Sequence, residues 1–261
     1  MLVNNIKKTM KERPVFGVTV YSNFPQIIEC LAFYGFDFAF IDAEHCPWEV
    51  TSLRESILAA RFSGISPIVR VTKPDMIEIR KAFEMGAEGV IVPHVHNKSE
   101  AELCVKAGKF PPMGRRGFDM TVRSAAYGTK NDNMEYIAHT LETELIIPMA
   151  EDYEFTENLD DILSVKGIDA INFGPADYSM STNTPSFYDL KGQSTDDVLK
   201  QIVDKAKPLG IGIMAPALPP TKDNAERLIE RGVNMVIMGS DIYNIQSAFK
   251  NISDSVISKY K

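Results

Sequence analysis

Gly35-Phe36-Asp37-Phe38-Ala39-Phe40-Ile41-Asp42-Ala43-Glu44-His45 opens on a glycine, runs through an apolar core and ends among three ionisable residues, Asp42, Glu44 and His45. A glycine in front of such a run is the expected C-cap of a helix that turns directly into a strand. The run itself, 37–44, lacks strict polar alternation, which suits a strand covered on both faces in a parallel sheet. The same order of glycine and then apolar run recurs at Gly86-Ala87-Glu88, Gly167-Ile168-Asp169 and Gly232-Val233-Asn234.

Working outward, eight apolar runs rich in Val, Ile and Phe stand at 15–21, 37–44, 66–72, 89–95, 144–151, 169–177, 210–217 and 235–241, with amphipathic stretches between them. Helix starts are legible at Asn23-Phe24-Pro25, at Lys73-Pro74, and at Ser99 with Glu102 three residues on, a capping-box pattern. Eight strand–helix units with short links predict an α/β fold, a closed (β/α)8 TIM barrel. An open doubly wound sheet usually carries a glycine-rich phosphate loop after its first strand, and Val20-Tyr21-Ser22-Asn23 offers none.

No linker or composition shift divides the chain, so 1–261 is expected to be one domain. Apolar residues at helical spacing, Ile242, Ile245, Phe249, Ile252, Val256 and Ile257, predict a last helix over about 242–259. The longest irregular stretch, about 110–131, carries Arg115, Arg116 and Arg123; an anion clamp and solvated loop charge are equally open readings.

A length of 261 residues with 44% hydrophobic content allows one large core. A net charge of −7 with no Lys/Arg cluster argues against a nucleic-acid partner. Cys30, Cys46 and Cys104 are odd in number and lack metal-type spacing, which points to a reducing compartment, the cytoplasm. The opening Met1-Leu2-Val3-Asn4-Asn5-Ile6-Lys7-Lys8 lacks the apolar core of a secretory signal, and no apolar run is long enough to cross a membrane.

Barrel chemistry collects at the C-terminal ends of the strands. Strand two ends in Asp42-Ala43-Glu44-His45, strand three in Arg70, strand five in Glu151 and strand six in Gly174-Pro175-Ala176-Asp177. Two carboxylates closing adjacent strands, with no cysteine or histidine beside them in sequence, suit a hard oxygen-liking cation such as Mg2+ or Mn2+. The competing reading is that such acids only cap the following helices. His94 and His96 form a His-x-His after strand four, a weak metal signal beside that carboxylate pair. Imine chemistry would need a lysine in the mouth; the eight runs hold none, and Lys73 stands beside Pro74 as a helix-start residue. Cys46 lacks the partners of a nucleophile.

These segments, together with Val69-Arg70-Val71, Gly86 to Pro93, Phe110-Pro111-Pro112-Met113-Gly114-Arg115-Arg116-Gly117 and Gly174-Pro175-Ala176-Asp177-Tyr178-Ser179, resemble the HpcH/HpaI aldolase family in their order. That family comprises metal-dependent class II pyruvate aldolases of the 4-hydroxy-2-oxoheptanedioate and 2-keto-3-deoxy-sugar-acid type. The similarity runs from about Phe16 to about residue 182, more faintly beyond. It implies a barrel of the phosphoenolpyruvate/pyruvate-binding type, and reversible cleavage of a 4-hydroxy-2-oxo acid to pyruvate and an aldehyde through an enolate.

Carried over by position, the resemblance makes Glu151 and Asp177 the ligands of Mg2+ or Mn2+, with Co2+ a further option. It sets Arg70 against the keto oxygen, makes His45 the acid/base supported by Asp42, and adds Glu84 to the catalytic residues. Backbone amides around the segment Gly174, Pro175, Ala176 and Asp177 would hold the substrate carboxylate. A homo-oligomer, trimer or hexamer, is implied, with the last helix packing on a neighbouring subunit. The chain departs from the family pattern at Met149-Ala150-Glu151 (usually Gln-Ile-Glu), at Glu84 (usually Asp) and at Tyr178 (usually Leu), positions that bear on acceptor choice. A related lyase acting on malyl-type coenzyme A thioesters, an oxaloacetate decarboxylase and a non-catalytic ligand-binding barrel are the alternatives.

Overall fold

The eight apolar runs fold as eight strands: β1 Val15–Val20, β2 Phe38–Asp42, β3 Ser66–Arg70, β4 Gly89–Val92, β5 Leu145–Ala150, β6 Ala170–Phe173, β7 Gly212–Pro216 and β8 Met235–Ser240. In this computed structural model, which describes residues 5–129, 132–182 and 193–261, neighbouring strands pair in parallel in sequence order and β1 pairs with β8, closing the barrel. The first four residues of the opening segment and the last two of the 110–131 stretch lie outside the described residues.

The helices are α1 Ile6–Glu12, α2 Pro25–Phe33, α3 Val50–Ser63, α4 Met76–Met85, α5 Lys98–Gly108, α6 Asn133–Thr143, α7 Tyr153–Glu157, α8 Leu159–Leu163, α9 Pro175–Ser181, α10 Gln193–Ala206, α11 Lys222–Glu230 and α12 Asp241–Ser255. The four repeated glycines do the work their pattern predicts. Gly35, Gly86, Gly167 and Gly232 all have positive φ, between 81° and 108°, a backbone that a side chain disfavours.

Two local readings are corrected. The sixth run, read as 169–177, is strand only as far as Phe173, because Pro175 lacks an N–H for the ladder and its fixed φ starts a helix at N1; Asp177 therefore sits in the first turn of α9. The cap of α5 is Asn97, whose side chain accepts from the Glu100 N–H at 3.1 Å, while Ser99 lies inside the helix and donates to Asn97.

The core has two shells. Inside the barrel, Phe38, Phe40, Ile68, Ile91, Ile147, Met214 and Ile237 fill the axis. Between strands and helices lies a larger sheath that includes Ile41, Val69, Phe83, Val90, Phe155 and Ile213. Helix α1, which the strand pattern left out, plugs the N-terminal end: Ile6 and Met10 are buried with the axial residues. Lys7 reaches Asp169 at 2.7 Å there, and buried Lys109 reaches the same carboxylate at 2.9 Å.

The long connection between α5 and α6 also runs at this end, since it follows a helix rather than a strand. Arg116 is buried, pairs with Glu144 at 2.5 Å and stacks over the Phe83 and Phe110 rings. Arg123 stacks over Phe62. Both are thus packing cations of the flank, and the anion-clamp reading does not apply to them.

Candidate active site

At the other end the strand tips surround a cavity of about 930 Å³, bordered by Thr19, Phe40, Arg70, Met149 and Asn172 from below, by His45 at the rim and by the Gly174–Asp177 turn at one side. Arg70, the last residue of β3, is 4% exposed. Its Nε and Nη2 donate to the two oxygens of Asp42 at 2.9 and 2.5 Å, a bidentate grip across adjacent strands, and its Nη1 lies 2.9 Å from Glu44 Oε2. Burial opposes that charge, but the bond to Asp42 and the fields of Asp42, Glu44 and Glu151 outweigh it, so the guanidinium stays charged.

Asp42 is fully buried and also accepts from the Glu44 backbone N–H at 3.0 Å. Its support of His45 is through the backbone, at 3.5 Å; the His45 ring is 56% exposed and sits 3.7 Å from Glu44.

Glu151 follows β5 directly and is 1% exposed. Burial pushes its carboxyl up to about 7, although the His94 backbone N–H donates to it at 2.8 Å. The Gly174 backbone passes so close that a Cβ there would stand 3.1 Å from Glu151 Cβ, so any larger residue would drive the turn away from the carboxylate. Asp177, exposed in the first turn of α9, lines the same cavity. The Gly174 N–H is taken by Ala150 O at 3.0 Å and Pro175 has none, leaving the N–H groups of Ala176 and Asp177 as the donors this turn offers.

The sequence left the surroundings of Glu151 without a histidine; the structure brings one. His94 turns out of β4 with φ 51°, and its Nε2 lies 3.3 Å from Glu44 and its Nδ1 3.6 Å from Glu151. Donor atoms of Glu44, His94 and Glu151 all lie within 4.8 Å of one another. His96 joins through Asp152, whose Oδ2 sits 2.9 Å from His94 Nδ1 and 3.1 Å from His96 Nε2. Burial works against a proton on His94, but its bond to Asp152 and the adjacent carboxylates hold it there, raising its pKa.

Asn172 is a further residue the strand pattern passed over. It is 2% exposed, faces the cavity between Met149 and Met214, and its Oδ1 has no hydrogen-bond partner. Met149 lies 3.6 Å from Arg70 Nη1 through its sulfur, where the family pattern has an amide.

Glu84 stands apart. It sits near the C-terminal end of α4, 3.5 Å from Arg80, and does not border the cavity. Lys73 is exposed and no lysine lines the cavity among the described residues. Burial pushes the Cys46 thiol up to about 11, so it stays protonated and is no nucleophile at neutral pH.

A carboxyl whose folded pKa lies above its unfolded one favours the folded state while protonated, a contribution complete below the unfolded value near 4.5 and lost as pH rises through about 7. The metal-free protein is therefore expected to melt at lower temperature at pH 8 than at pH 6. Added Mn2+ should raise the melting temperature more at pH 8, where Glu151 is a free carboxylate. Differential scanning calorimetry at the two pH values checks both, and equal Mn2+ shifts would contradict the assignment.

Residues 16–248 match the HpcH/HpaI aldolase/citrate lyase family. Relatives include the 5-keto-4-deoxy-D-glucarate aldolase of Escherichia coli, 30% identical over 238 residues and 88% of both chains. Among solved structures, the citrate synthase SbnG superposes with a TM-score of 0.85 at 29% identity, covering 98% of both chains. An HpcH/HpaI aldolase from Desulfitobacterium hafniense superposes at 0.88 with 22% identity over 96% of this chain and 95% of its own, a likeness of fold. Strand tips, cavity and family match agree, and the chain belongs to the HpcH/HpaI aldolase/citrate lyase family, enzymes of the aldolase and lyase type.

Proposed function

We propose that this chain is a divalent-metal-dependent class II aldolase that reversibly cleaves a 4-hydroxy-2-oxo acid into pyruvate and an aldehyde. The observation that carries the reading is the buried Glu151 carboxylate, set against the Gly174–Asp177 turn at one edge of a cavity whose floor holds Arg70. Glu151 and Asp177 would hold the cation. Carboxylate oxygens suit Mg2+, Mn2+ or Co2+, and Glu44 and His94 are the donor groups that the structure gathers around Glu151. When bound, the cation would supply positive charge to offset the charge that develops on the substrate.

The chain's own residues do the rest. Breaking the C3–C4 bond leaves an electron pair on the pyruvate fragment, and the barrier is dominated by charge gathering on its keto oxygen. Arg70, which lines the cavity and is pinned by Asp42 and Glu44, stands ready for that charge without reorganising. The free N–H groups of Ala176 and Asp177 bind the substrate carboxylate. His45, exposed at the rim, takes the C4 hydroxyl proton as the aldehyde forms.

Glu84 enters this reading only at a distance, since it lies outside the cavity. As a small-molecule enzyme of the cytoplasm the chain is also proposed to assemble as a trimer or hexamer. Along α12 and its C-cap, Ile242, Ile245, Phe249, Ile252 and Val256 are exposed, an apolar stripe that a second copy would cover.

The test is pyruvate release coupled to lactate dehydrogenase, with a panel of 4-hydroxy-2-oxo acids and oxaloacetate, before and after EDTA. EDTA is expected to abolish release and Mn2+ to restore it. His45→Ala is expected to lose about a hundredfold on the hydroxy acids while keeping part of its oxaloacetate decarboxylation, which needs no hydroxyl proton removed. EDTA-resistant turnover would sink the metal assignment, and unchanged aldol rates in His45→Ala would remove it as the base.

A further inference from the structure

Asp152 departs from the capping role expected of an acid that follows a strand. It occupies the N-cap position of α7, yet its side chain makes no cap hydrogen bond. Its Oδ2 is instead shared by two imidazoles, 2.9 Å from His94 Nδ1 and 3.1 Å from His96 Nε2. Among the described residues these two histidines are its only ionic partners. Donor atoms of all three residues lie within 4.8 Å of one another.

The nitrogen on the far side of each ring is matched as well. His94 Nε2 lies 3.3 Å from Glu44 Oε1, and His96 Nδ1 lies 3.5 Å from Glu100 Oε2. A metal-bound imidazole almost always turns its other nitrogen to a carboxylate, a carbonyl or water, which fixes the tautomer and makes the ligand more basic. Both rings thus aim one nitrogen at a common centre and back the other with an acid. Side-chain exposures of 48%, 39% and 21% leave that centre open to water, which completes a coordination shell.

At metal–ligand lengths of about 2.0–2.2 Å and tetrahedral angles, ligand atoms stand roughly 3.3–3.6 Å apart. The separations of 2.9 and 3.1 Å need open by only a few tenths of an ångström, about the adjustment of a side-chain torsion. The donor chemistry also differs from that of Glu151 and Asp177. Oxygens alone suit a hard cation, whereas imidazoles suit Zn2+, Co2+, Ni2+ or Cu2+.

We propose that His94, His96 and Asp152 form a second metal site, for a nitrogen-preferring divalent cation of the Zn2+ class, beside Glu151 and separate from the Glu151/Asp177 pair. An ion there bridges the β4–α5 connection to the start of α7. It also fixes the left-handed turn at His94 whose backbone N–H meets Glu151. The site shares no ligand with the proposed aldolase cation, so it stands or falls apart from that reading.

The experiment is a calorimetric titration with Zn2+ in excess Mg2+, on the wild type and on a Glu151→Gln/Asp177→Asn double variant that lacks the carboxylate pair. Each protein is checked for folding by its melting curve. The double variant is expected to take up one Zn2+ per chain, undisturbed by Mg2+, and to melt at higher temperature with Zn2+ present. Adding His96→Ala or Asp152→Asn to it should weaken Zn2+ by more than the roughly 10- to 100-fold typical of losing an outer partner, and remove the melting shift. Both substitutions fall on partly exposed side chains that make no cap or core contact, so the barrel should persist.

Zn2+ affinity in the double variant that survives both His96→Ala and Asp152→Asn overturns the proposal. So does Zn2+ uptake that disappears with Glu151 and Asp177, or that Mg2+ displaces, since either result leaves the carboxylate pair as the binding centre. Retained Zn2+ uptake in a protein with no pyruvate-releasing activity would sink the aldolase reading and keep the histidine site.

Discussion

Glu151→Gln is expected to lower pyruvate release a thousandfold or more while leaving the barrel intact. The substitution keeps shape and volume, and the amide oxygen can still accept from the His94 backbone N–H that Glu151 meets at 2.8 Å. What it removes is the charge. A divalent cation contributes several kcal/mol of stabilisation where negative charge develops, and the buried Glu151 carboxylate is the half of the proposed ligand pair most shielded from water. The melting temperature above neutral pH should not fall and is expected to rise, because the variant no longer ionises a buried carboxyl with a pKa near 7. Coupled pyruvate assays and Mn2+ titration measure the two halves. A variant that keeps wild-type turnover, or that binds Mn2+ undiminished, would move the metal centre elsewhere.

Arg70→Lys is expected to cost roughly a hundred- to a thousandfold in kcat, with a smaller change in KM. Lysine retains the positive charge against buried Asp42, so the fold should survive. Its single ammonium cannot grip both Asp42 oxygens and still hold a fixed donor toward the cavity, as the guanidinium does through its bonds at 2.9 and 2.5 Å. The loss then reads as misplaced charge at the moment the keto oxygen needs it. If kcat fell only a few-fold, Arg70 would be a structural tie between β2 and β3, and the charge would have to be met by other groups.

The fold was legible because its signals are local. Glycines such as Gly86 and Gly232 sit where a helix must reverse into a strand, and each strand is a dense apolar run. Strand ends were less legible: the β6 pattern ran on into Pro175, where only the proline marks the change to a helix. Asp42, Arg70, Glu151 and Asp177 could be picked out because strand tips are where a barrel collects reactive groups.

The rest depends on distances that no pattern along the chain encodes. His94 approaches Glu151 across 57 residues because its backbone leaves the strand in a left-handed turn, and the His-x-His spacing hinted at this without saying which acids it would meet. Asn172 looked like one polar residue in an apolar run, and its unsatisfied oxygen is visible only once Met149 and Met214 are beside it. Arg116 and Arg227 were indistinguishable from surface cations in sequence. Tertiary packing buried the first against Glu144 and left the second facing an open cavity.

The plug formed by α1, with Lys7 and Lys109 tied to Asp169, secures the barrel at the pole farthest from the reacting groups. A lineage can then redraw the connections around the mouth, and with them its choice of substrate, without loosening what keeps the molecule folded. Mutational tolerance should accordingly be lopsided, generous around Leu218 to Thr221 and strict around Met10 and Asp169.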